Sequence, residues 1–210
     1  MARLWYDFQM EIVFASHNLG KLAEMKKLLD LEGFRLVSVA DFNYQMDVEE
    51  TGKSYLENAR IKAEYVHRLL PEKIILADDS GLSVDLLDGY PGIYSARFAG
   101  EDSPYSDKIH QLWHLLDGTP KDQWTASFHC ALVLIFPDGR EKSFVGSVSG
   151  FIADQMAGQN GFGYDPVFYL PAYHKTMAEL RPEEKNQISH RALAAKKLGA
   201  FLQGQGAAKT

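Results

Sequence analysis

Hydrophobic and polar positions in the first half of the chain follow two alternating patterns. Short apolar runs are followed by stretches with apolar residues three and four positions apart, and this succession predicts strands alternating with helices. In order, the segments are 12–15, 19–29, 35–39, 54–70 and 73–77. Such alternation is typical of an α/β sheet with crossover helices. We therefore expect an α/β fold, with the helix over 54–70 packing one apolar face on the sheet.

The second half of the chain has a different pattern. Residues 125–136 and 141–148 are long β patterns, separated by the turn sequence Pro137-Asp138-Gly139-Arg140, which predicts an antiparallel hairpin. A Gly-rich segment over 158–166 and a last helix over 189–202 follow. We expect one domain over residues 10–203. Residues 1–9 are interpreted as an N-terminal extension, from an upstream start or as a short tail, and 204–210 as a flexible C-terminal tail.

Composition and charge narrow the classes of ligand. The chain has 210 residues, 46% of them hydrophobic, and a formal net charge of −6. Such a chain gives no overall attraction to nucleic acid or to an anionic membrane, so a small ligand is favoured over a polymer. The single cysteine excludes an internal disulfide, and no apolar stretch has the length of a membrane span. We expect a cytoplasmic protein with neither nucleic-acid nor membrane partners.

Adjacent carboxylates give the strongest signal for catalysis. Asp78-Asp79-Ser80-Gly81 directly follows the apolar run 73–77. We expect the strand to end there, which places both acids at the carboxyl edge of the sheet, where open α/β folds bind ligands. Two neighbouring acids can hold Mg²⁺ while one accepts a proton from an attacking water. A turn of Asp and Gly without chemistry is the alternative.

Two further segments suggest a phosphate-binding site and a site for a metal ion. At the predicted change from strand to helix stands Ser16-His17-Asn18-Leu19-Gly20-Lys21, where backbone N–H groups and the lysine could surround a phosphate. Capping of the helix by Ser16 or Asn18 is the alternative. The acidic loop over 47–54 ends like a P-loop, but Glu49 and Glu50 would repel a phosphate and suit a metal better. A solvated acidic loop before a capped helix explains it equally well.

A purine site is suggested further along the chain. Gly161-Phe162-Gly163-Tyr164-Asp165 combines backbone freedom with two aromatic faces that could stack on a flat base. Downstream, Lys185, His190 and Arg191 supply donors that match the keto oxygens and N7 of a purine. A structural Gly-rich turn and a solvated Lys185 are the alternatives.

Taken together, seven segments in register resemble the inosine triphosphate pyrophosphatase family. They are 16–21, 49–52, 57–62, 77–82, 91–97, 161–166 and 189–191, and the resemblance extends over about residues 11–202. It implies an elongated α/β fold with a mixed sheet and two lobes around a central substrate cleft. It also implies a homodimer that cleaves non-standard purine triphosphates (ITP, dITP and XTP) to monophosphate and pyrophosphate.

The same resemblance implies a role for each matching residue. Glu49 and Asp79 would hold Mg²⁺, and Asp79 would be the base. The phosphate ligands would be Ser16, His17, Asn18, Leu19, Gly20, Lys21, Lys62 and Ser80. The base and ribose ligands would be Phe162, Gly163, Tyr164, Asp165, Lys185, His190 and Arg191. Two alternatives stay open, namely a Maf-type pyrophosphatase for pyrimidine or modified nucleotides and a nucleotide sensor without turnover.

Overall fold

A computed structural model describes residues 10–31, 33–44, 46 and 48–207. The strands are β1 (Met10–Phe14), β2 (Phe34–Ser38), β3 (Ile74–Val84), β4 (Thr125–Ile135), β5 (Glu141–Ile152), β6 (Phe168–Leu170) and β7 (Lys175–Thr176). The α-helices are α1 (Leu19–Leu28), α2 (Tyr55–Leu69), α3 (Tyr105–Leu116), α4 (Pro182–Ile188) and α5 (His190–Ala207). The predicted extension over 1–9 and positions 208–210 of the predicted tail lie outside the described residues.

All seven strands form one mixed sheet in the order β2-β1-β3-β4-β5-β6-β7. β1 pairs in parallel with β2 and β3, whereas every pair from β3 to β7 is antiparallel. The predicted hairpin is confirmed, since β4 and β5 pair from Ile135 and Glu141 onward around the turn at 137–140. The α/β fold with a mixed sheet is confirmed as well.

Strand β3 differs from its prediction. The sequence predicted an end at Ala77, but β3 continues to Val84 and is paired with β4 along its length. β1 stops at Phe14, opposite Leu76, so the later part of β3 loses its parallel neighbour and is paired with β4, apart from an isolated bridge from Ser83 to Pro91. β4 satisfies the backbone of this part and keeps the turn-like Asp-Asp-Ser-Gly sequence extended. The acids therefore lie beyond the end of β1, within a strand.

The core divides the molecule into two lobes. In the first lobe, one apolar cluster packs α1 and α5 on one face of β1, β3 and β4, and a second packs α2 on the opposite face. In the second lobe, a third cluster joins α3 and β6 to the far halves of β3 and β4. The long strands β3, β4 and β5 run through both lobes, so a cavity between the lobes is lined from both.

The start of α2 agrees with the sequence pattern, whereas the end of α5 does not. α2 is capped by Ser54, whose hydroxyl accepts a hydrogen bond from the Glu57 N–H, so the capped helix of the alternative interpretation is present. α5 begins at His190 but continues to Ala207, so positions 204–207 of the predicted tail are helical. Among the described residues, no helix has both the length and the apolar character needed to cross a membrane.

Candidate functional site

A cavity between the two lobes gathers most of the predicted site. The predicted residues that line it are Ser16, His17, Asn18, Lys21, Lys62, Asp79, Ser80, Phe162, Gly163, Tyr164, Asp165, Lys185, His190 and Arg191. Leu19, Gly20 and Glu49 do not line it. The Leu19 side chain is 79% exposed, and Gly20 packs against the Phe162 ring. Segments far apart in sequence thus converge on one cavity.

The turn between β1 and α1 is held by its own side chains. The Asn18 N–H donates to Ser16 Oγ (3.2 Å), and the Lys21 N–H donates to Asn18 Oδ1 (3.0 Å). Asn18 therefore caps α1, so the capping interpretation is confirmed, while both side chains also border the cavity. The His17 ring is engaged as well, since its Nε2 accepts a hydrogen bond from the Met46 N–H (2.5 Å). Phosphate binding by this turn stays a prediction.

Asp78 and Asp79 point to opposite faces of the sheet, because successive side chains alternate along a strand. Asp78 Oδ2 lies 3.1 Å from Lys21 Nζ and 3.3 Å from Arg191 Nη2. Asp79 Oδ1 lies 3.0 Å from Lys62 Nζ, on the α2 face. The expectation that these two neighbours together hold one Mg²⁺ is therefore wrong. The turn that would have allowed it is a strand.

The two acids also differ in their electrostatics. Burial alone would raise the pKa of Asp78, but the charges of Lys21, Arg191 and Lys62 outweigh it and hold that pKa well below its usual range. Burial raises the pKa of Asp79, and the attraction of Lys62 and Lys21 does not offset this. Asp78 is thus a fixed negative charge. Asp79 is the acid whose proton affinity has increased.

Glu50, and not Glu49, reaches this part of the molecule. Glu49 is exposed, whereas Glu50 lines the cavity. Glu50 Oε1 lies 2.8 Å from Lys62 Nζ, and Oε2 lies 2.7 Å from Arg97 Nη1. The Lys62 ammonium therefore contacts the carboxylates of both Glu50 and Asp79. Glu50, and not the predicted Glu49, lines the cavity, while the role of Glu49 as a metal ligand stays a prediction. The sequence could not choose between the two, because an irregular loop has no period.

This pair of carboxylates fits Mg²⁺ by its donor chemistry. Asp79 Oδ2 is buried and has no hydrogen-bond partner within the described part of the chain. In that same part, no three His, Cys, Asp or Glu side chains are grouped closely enough to hold a metal by themselves. Mg²⁺ is commonly bound by one or two carboxylates, with waters and substrate phosphates completing its shell. Glu50 and Asp79 would be those carboxylates.

The aromatic loop forms the other end of the cavity. Asp165 Oδ2 accepts hydrogen bonds from the Phe162 N–H (2.8 Å) and from Lys185 Nζ (2.6 Å). Gly161 has φ +79° and lies so close to the Asp165 carboxylate that a Cβ would overlap it. Lys185 Nζ and Arg191 Cζ lie 5.2 and 5.6 Å from the centre of the Phe162 ring. One ring face and two cationic donors therefore meet at this end.

Glu24 forms ion pairs with two of the predicted site residues, and the sequence analysis missed it. Its Oε1 lies 2.6 Å from Lys185 Nζ, and its Oε2 lies 2.5 Å from Arg191 Nη1. A helix places residues three apart on one face, so the spacing from Lys21 to Glu24 was a usable signal. Arg191 is only 2% exposed, and it also donates to Ser80 Oγ (2.8 Å). Glu24 thus holds both donors at fixed positions.

His190 and Tyr164 form walls of the cavity. The His190 ring stacks on Phe128 with centres 4.7 Å apart. Burial lowers the pKa of His190 well below its usual value, with further lowering from Arg191 and Lys185, so the ring is neutral at neutral pH. Tyr164 is buried and donates its hydroxyl hydrogen to the Ser95 carbonyl (3.1 Å). Because that hydroxyl is occupied, Tyr164 supplies a surface rather than a polar contact.

Charge in and around the cavity is balanced. Five carboxylates are each paired with at least one of five cationic side chains. The carboxylates are Glu24, Glu50, Asp78, Asp79 and Asp165, and the cations are Lys21, Lys62, Arg97, Lys185 and Arg191. Of these, Glu24 and Arg97 were not predicted as site residues. Both are held by long-range contacts that only the fold creates.

Comparison with known proteins identifies the family of this chain. The model of the Ham1 family matches residues 12–201. Among curated relatives, a dITP/XTP pyrophosphatase of Geobacillus kaustophilus is 52% identical over 189 residues, which cover 90% of this chain and 92% of that protein. A Bacillus subtilis protein of the same name is 46% identical over 193 residues, covering 92% and 97%.

Solved structures give the same result. The Staphylococcus aureus Ham1 protein superposes with a TM-score of 0.83 at 45% identity, covering 93% of this chain and 99% of that one. The Coxiella burnetii HAM1 protein gives 0.84 at 40% identity, covering 93% and 99%. The family resemblance drawn from the sequence motifs is confirmed. The chain belongs to the Ham1 family.

Proposed function

We propose that this protein hydrolyses non-standard purine nucleoside triphosphates, namely ITP, dITP and XTP, to the monophosphate and pyrophosphate. Its relatives with about half of their residues identical are named dITP/XTP pyrophosphatases. One observation carries the proposal for this chain. Lys62 Nζ contacts both Glu50 and Asp79 in the same cavity that Phe162, Lys185 and Arg191 line. Groups suited to phosphates and groups suited to a purine thus share one space.

At the phosphate end, Asp79 would accept the proton of the attacking water. Its raised pKa makes it a stronger base than an ordinary aspartate, and its buried Oδ2 is free of hydrogen bonds to the described residues. Lys21 and Lys62 line the same end and would stabilise the negative charge that develops on the phosphate oxygens. Ser16, Asn18 and Ser80 would orient the phosphate tail.

Mg²⁺ is part of this proposal. Glu50 and Asp79 would hold the ion, which would neutralise phosphate charge and polarise the attacking water, while Asp79 would accept that water's proton. Lys62 and Arg97 each donate a hydrogen bond to one oxygen of Glu50. The carboxylate is thereby pre-oriented before any ion binds.

At the nucleoside end, Phe162 would stack on the base while Lys185 and Arg191 donate to its keto oxygens. Hypoxanthine and xanthine carry a keto oxygen at position 6, whereas adenine carries an amino group, which is itself a donor. Two facing donors leave buried groups unpaired, at a cost of about 1–3 kcal/mol. Glu24 and Asp165 keep both cationic donors in place, so that they do not move aside for adenine.

A substrate profile tests the proposal. Purified protein is incubated with ITP, dITP, XTP, GTP, ATP and UTP plus Mg²⁺, and pyrophosphate is measured separately from orthophosphate. We expect pyrophosphate from ITP, dITP and XTP, little from ATP, and none after Mg²⁺ is chelated. Faster cleavage of UTP would favour a Maf-type enzyme. Tight binding without pyrophosphate release would favour a sensor.

A homodimer in the cytoplasm completes the proposal. The dimer rests on the family resemblance, and the location rests on the composition of the sequence. Light scattering coupled to size-exclusion chromatography tests the oligomeric state, since a mass near that of one chain would contradict it.

A further inference from the structure

Tyr105 borders the cavity from the second lobe. It is the first residue of α3, and its half-buried side chain lines the cavity. The ring packs edge-on against Tyr164, with ring centres 5.3 Å apart and an interplanar angle of 86°. Tyr164 is itself fixed by its hydrogen bond to the Ser95 carbonyl. The Tyr105 ring therefore rests on a rigid support.

The neighbours of Tyr105 come from the aromatic loop and from α5. A Cβ added to Gly163 would lie 3.6 Å from its ring, which is ordinary van der Waals contact. The charges of Asp165 and Arg191 both act on its hydroxyl. All three neighbours belong to the end of the cavity that carries Phe162 and Lys185. Tyr105 therefore borders the nucleoside end of the cavity and not the end that contains Glu50 and Asp79.

The hydroxyl of Tyr105 is available for a ligand. Within residues 10–31, 33–44, 46 and 48–207, Tyr164 donates its hydroxyl and Tyr55 shares a hydrogen bond with Ser83, but no partner is found for the Tyr105 hydroxyl. A tyrosine on an apolar wall usually pairs its hydroxyl. Burial, and secondarily Asp165, raise the pKa of Tyr105, so the hydroxyl keeps its proton at neutral pH.

We propose that Tyr105 is a further substrate-binding residue, whose hydroxyl forms a hydrogen bond with the nucleoside half of the purine nucleotide. The proposal rests on the proposed function for the identity of the nucleotide. It adds a contact from α3 to those from α1, β3 and the aromatic loop. The nucleoside is then bound by both lobes, with Phe162 supplying a face and Tyr105 supplying a polar contact.

The test compares Tyr105→Phe with Tyr173→Phe. Tyr105→Phe keeps the ring that packs on Tyr164 and removes only the hydroxyl. Tyr173 is 41% exposed and does not line the cavity, so it is a matched control. Binding of IMP and of inorganic pyrophosphate is measured by calorimetry, and KM and kcat are measured with ITP. Thermal melting of both variants checks that the fold is kept.

Loss of one neutral hydrogen bond should weaken IMP binding about three- to tenfold in Tyr105→Phe. KM for ITP should rise by a similar factor at unchanged kcat, and pyrophosphate binding should be unchanged. The control should match the wild type throughout. A loss with ITP but not with dITP supports the contact and places it at the 2′-hydroxyl, whereas an equal loss with both supports it at the base or elsewhere on the sugar.

Two results would overturn the inference. In one, Tyr105→Phe binds IMP as tightly as the wild type. In the other, it loses IMP and pyrophosphate affinity equally, which indicates a general change in the cavity. Failure of the proposed function is distinguishable, because it appears as wild-type protein that releases no pyrophosphate from ITP, and IMP binding is measured without turnover.

Discussion

Replacing Asp78 and Asp79 of β3 with asparagine, one at a time, should affect different properties of the protein. Asp78 is fully buried between Lys21 and Arg191, and its pKa is held low by these charges and that of Lys62 against the effect of burial. Asp79 is buried too, but the pKa of Asp79 is raised, so folding disfavours its charged form. Asp78→Asn should therefore reduce stability. Asp79→Asn should reduce activity and leave stability almost unchanged.

The magnitudes follow from burial and pairing. Asp78→Asn leaves the fully buried guanidinium of Arg191 with one carboxylate partner fewer, and breaking a buried ion pair costs about 3–5 kcal/mol. Asp79→Asn removes a charge that the fold disfavours, and Lys62 keeps Glu50 as a partner, so we expect a change below about 1 kcal/mol. Loss of a general base lowers turnover about 10²- to 10⁴-fold.

Urea unfolding and pyrophosphate release measure the two effects. With a slope of about 2 kcal/mol per molar, the midpoint for Asp78→Asn should fall by about 1.5–2.5 M, while that for Asp79→Asn stays within about 0.5 M of the wild type. Turnover of ITP by Asp79→Asn should be nearly abolished. Circular dichroism of both variants in the absence of urea confirms that they are folded before the comparison is made.

Either of two outcomes would refute this reasoning. Equal loss of stability in both variants would mean that the two carboxylates do not face different environments, contrary to their alternation along β3. An Asp79→Asn variant that turns over ITP at the wild-type rate would remove Asp79 from the role of base.

Three further predictions concern neighbouring features. Glu50→Gln should raise the Mg²⁺ concentration needed for half-maximal activity at least tenfold, whereas Glu49→Gln should match the wild type; the reverse order would restore the prediction made from the sequence. Gly146→Ala should lower the free energy of unfolding by about 1–3 kcal/mol and weaken IMP binding, because the Cβ of the new alanine would overlap the backbone at His190 and displace the start of α5. A urea midpoint and an IMP affinity equal to those of the wild type would contradict this. Since folding lowers the pKa of Asp78, its stabilising effect exists above its unfolded pKa of about 3.9 and is lost as the pH falls toward the folded value. The stability difference between wild type and Asp78→Asn should therefore shrink from about pH 5 to about pH 3, and a constant difference would argue against the shift.

Much of the fold could be predicted from local pattern. The succession of periods predicted α1, α2, α5 and the hairpin, because an amphipathic helix and a half-buried strand each repeat along the sequence. The end of β3 could not be predicted in this way. Asp78 to Gly81 has the composition of a turn, and what keeps it extended is pairing with β4, more than 40 positions further along the chain. Tertiary pairing overrode local preference there.

The residues of the candidate site likewise fall into those that the sequence predicted and those that only the fold reveals. Residues such as Lys21, Asp79 and Phe162 were predicted because they belong to compact motifs with recognisable chemistry. Glu24 and Arg97 were missed because their importance lies in partners across the fold. The sequence could not choose between Glu49 and Glu50 for a related reason, since the contacts of Glu50 with Lys62 and Arg97 arise only in the fold.

The ion pairs around the cavity have a consequence for how a nucleotide enters and leaves. Because the five carboxylates in and around the cavity already balance the five cationic side chains there, an entering triphosphate adds net negative charge to a partly buried region. We therefore expect substrate to arrive with its counter-cation already bound, and free triphosphate to compete poorly with the cation complex. Cleavage then divides that added charge between two smaller anions, so each product is held by fewer ion pairs than the intact substrate and can depart separately.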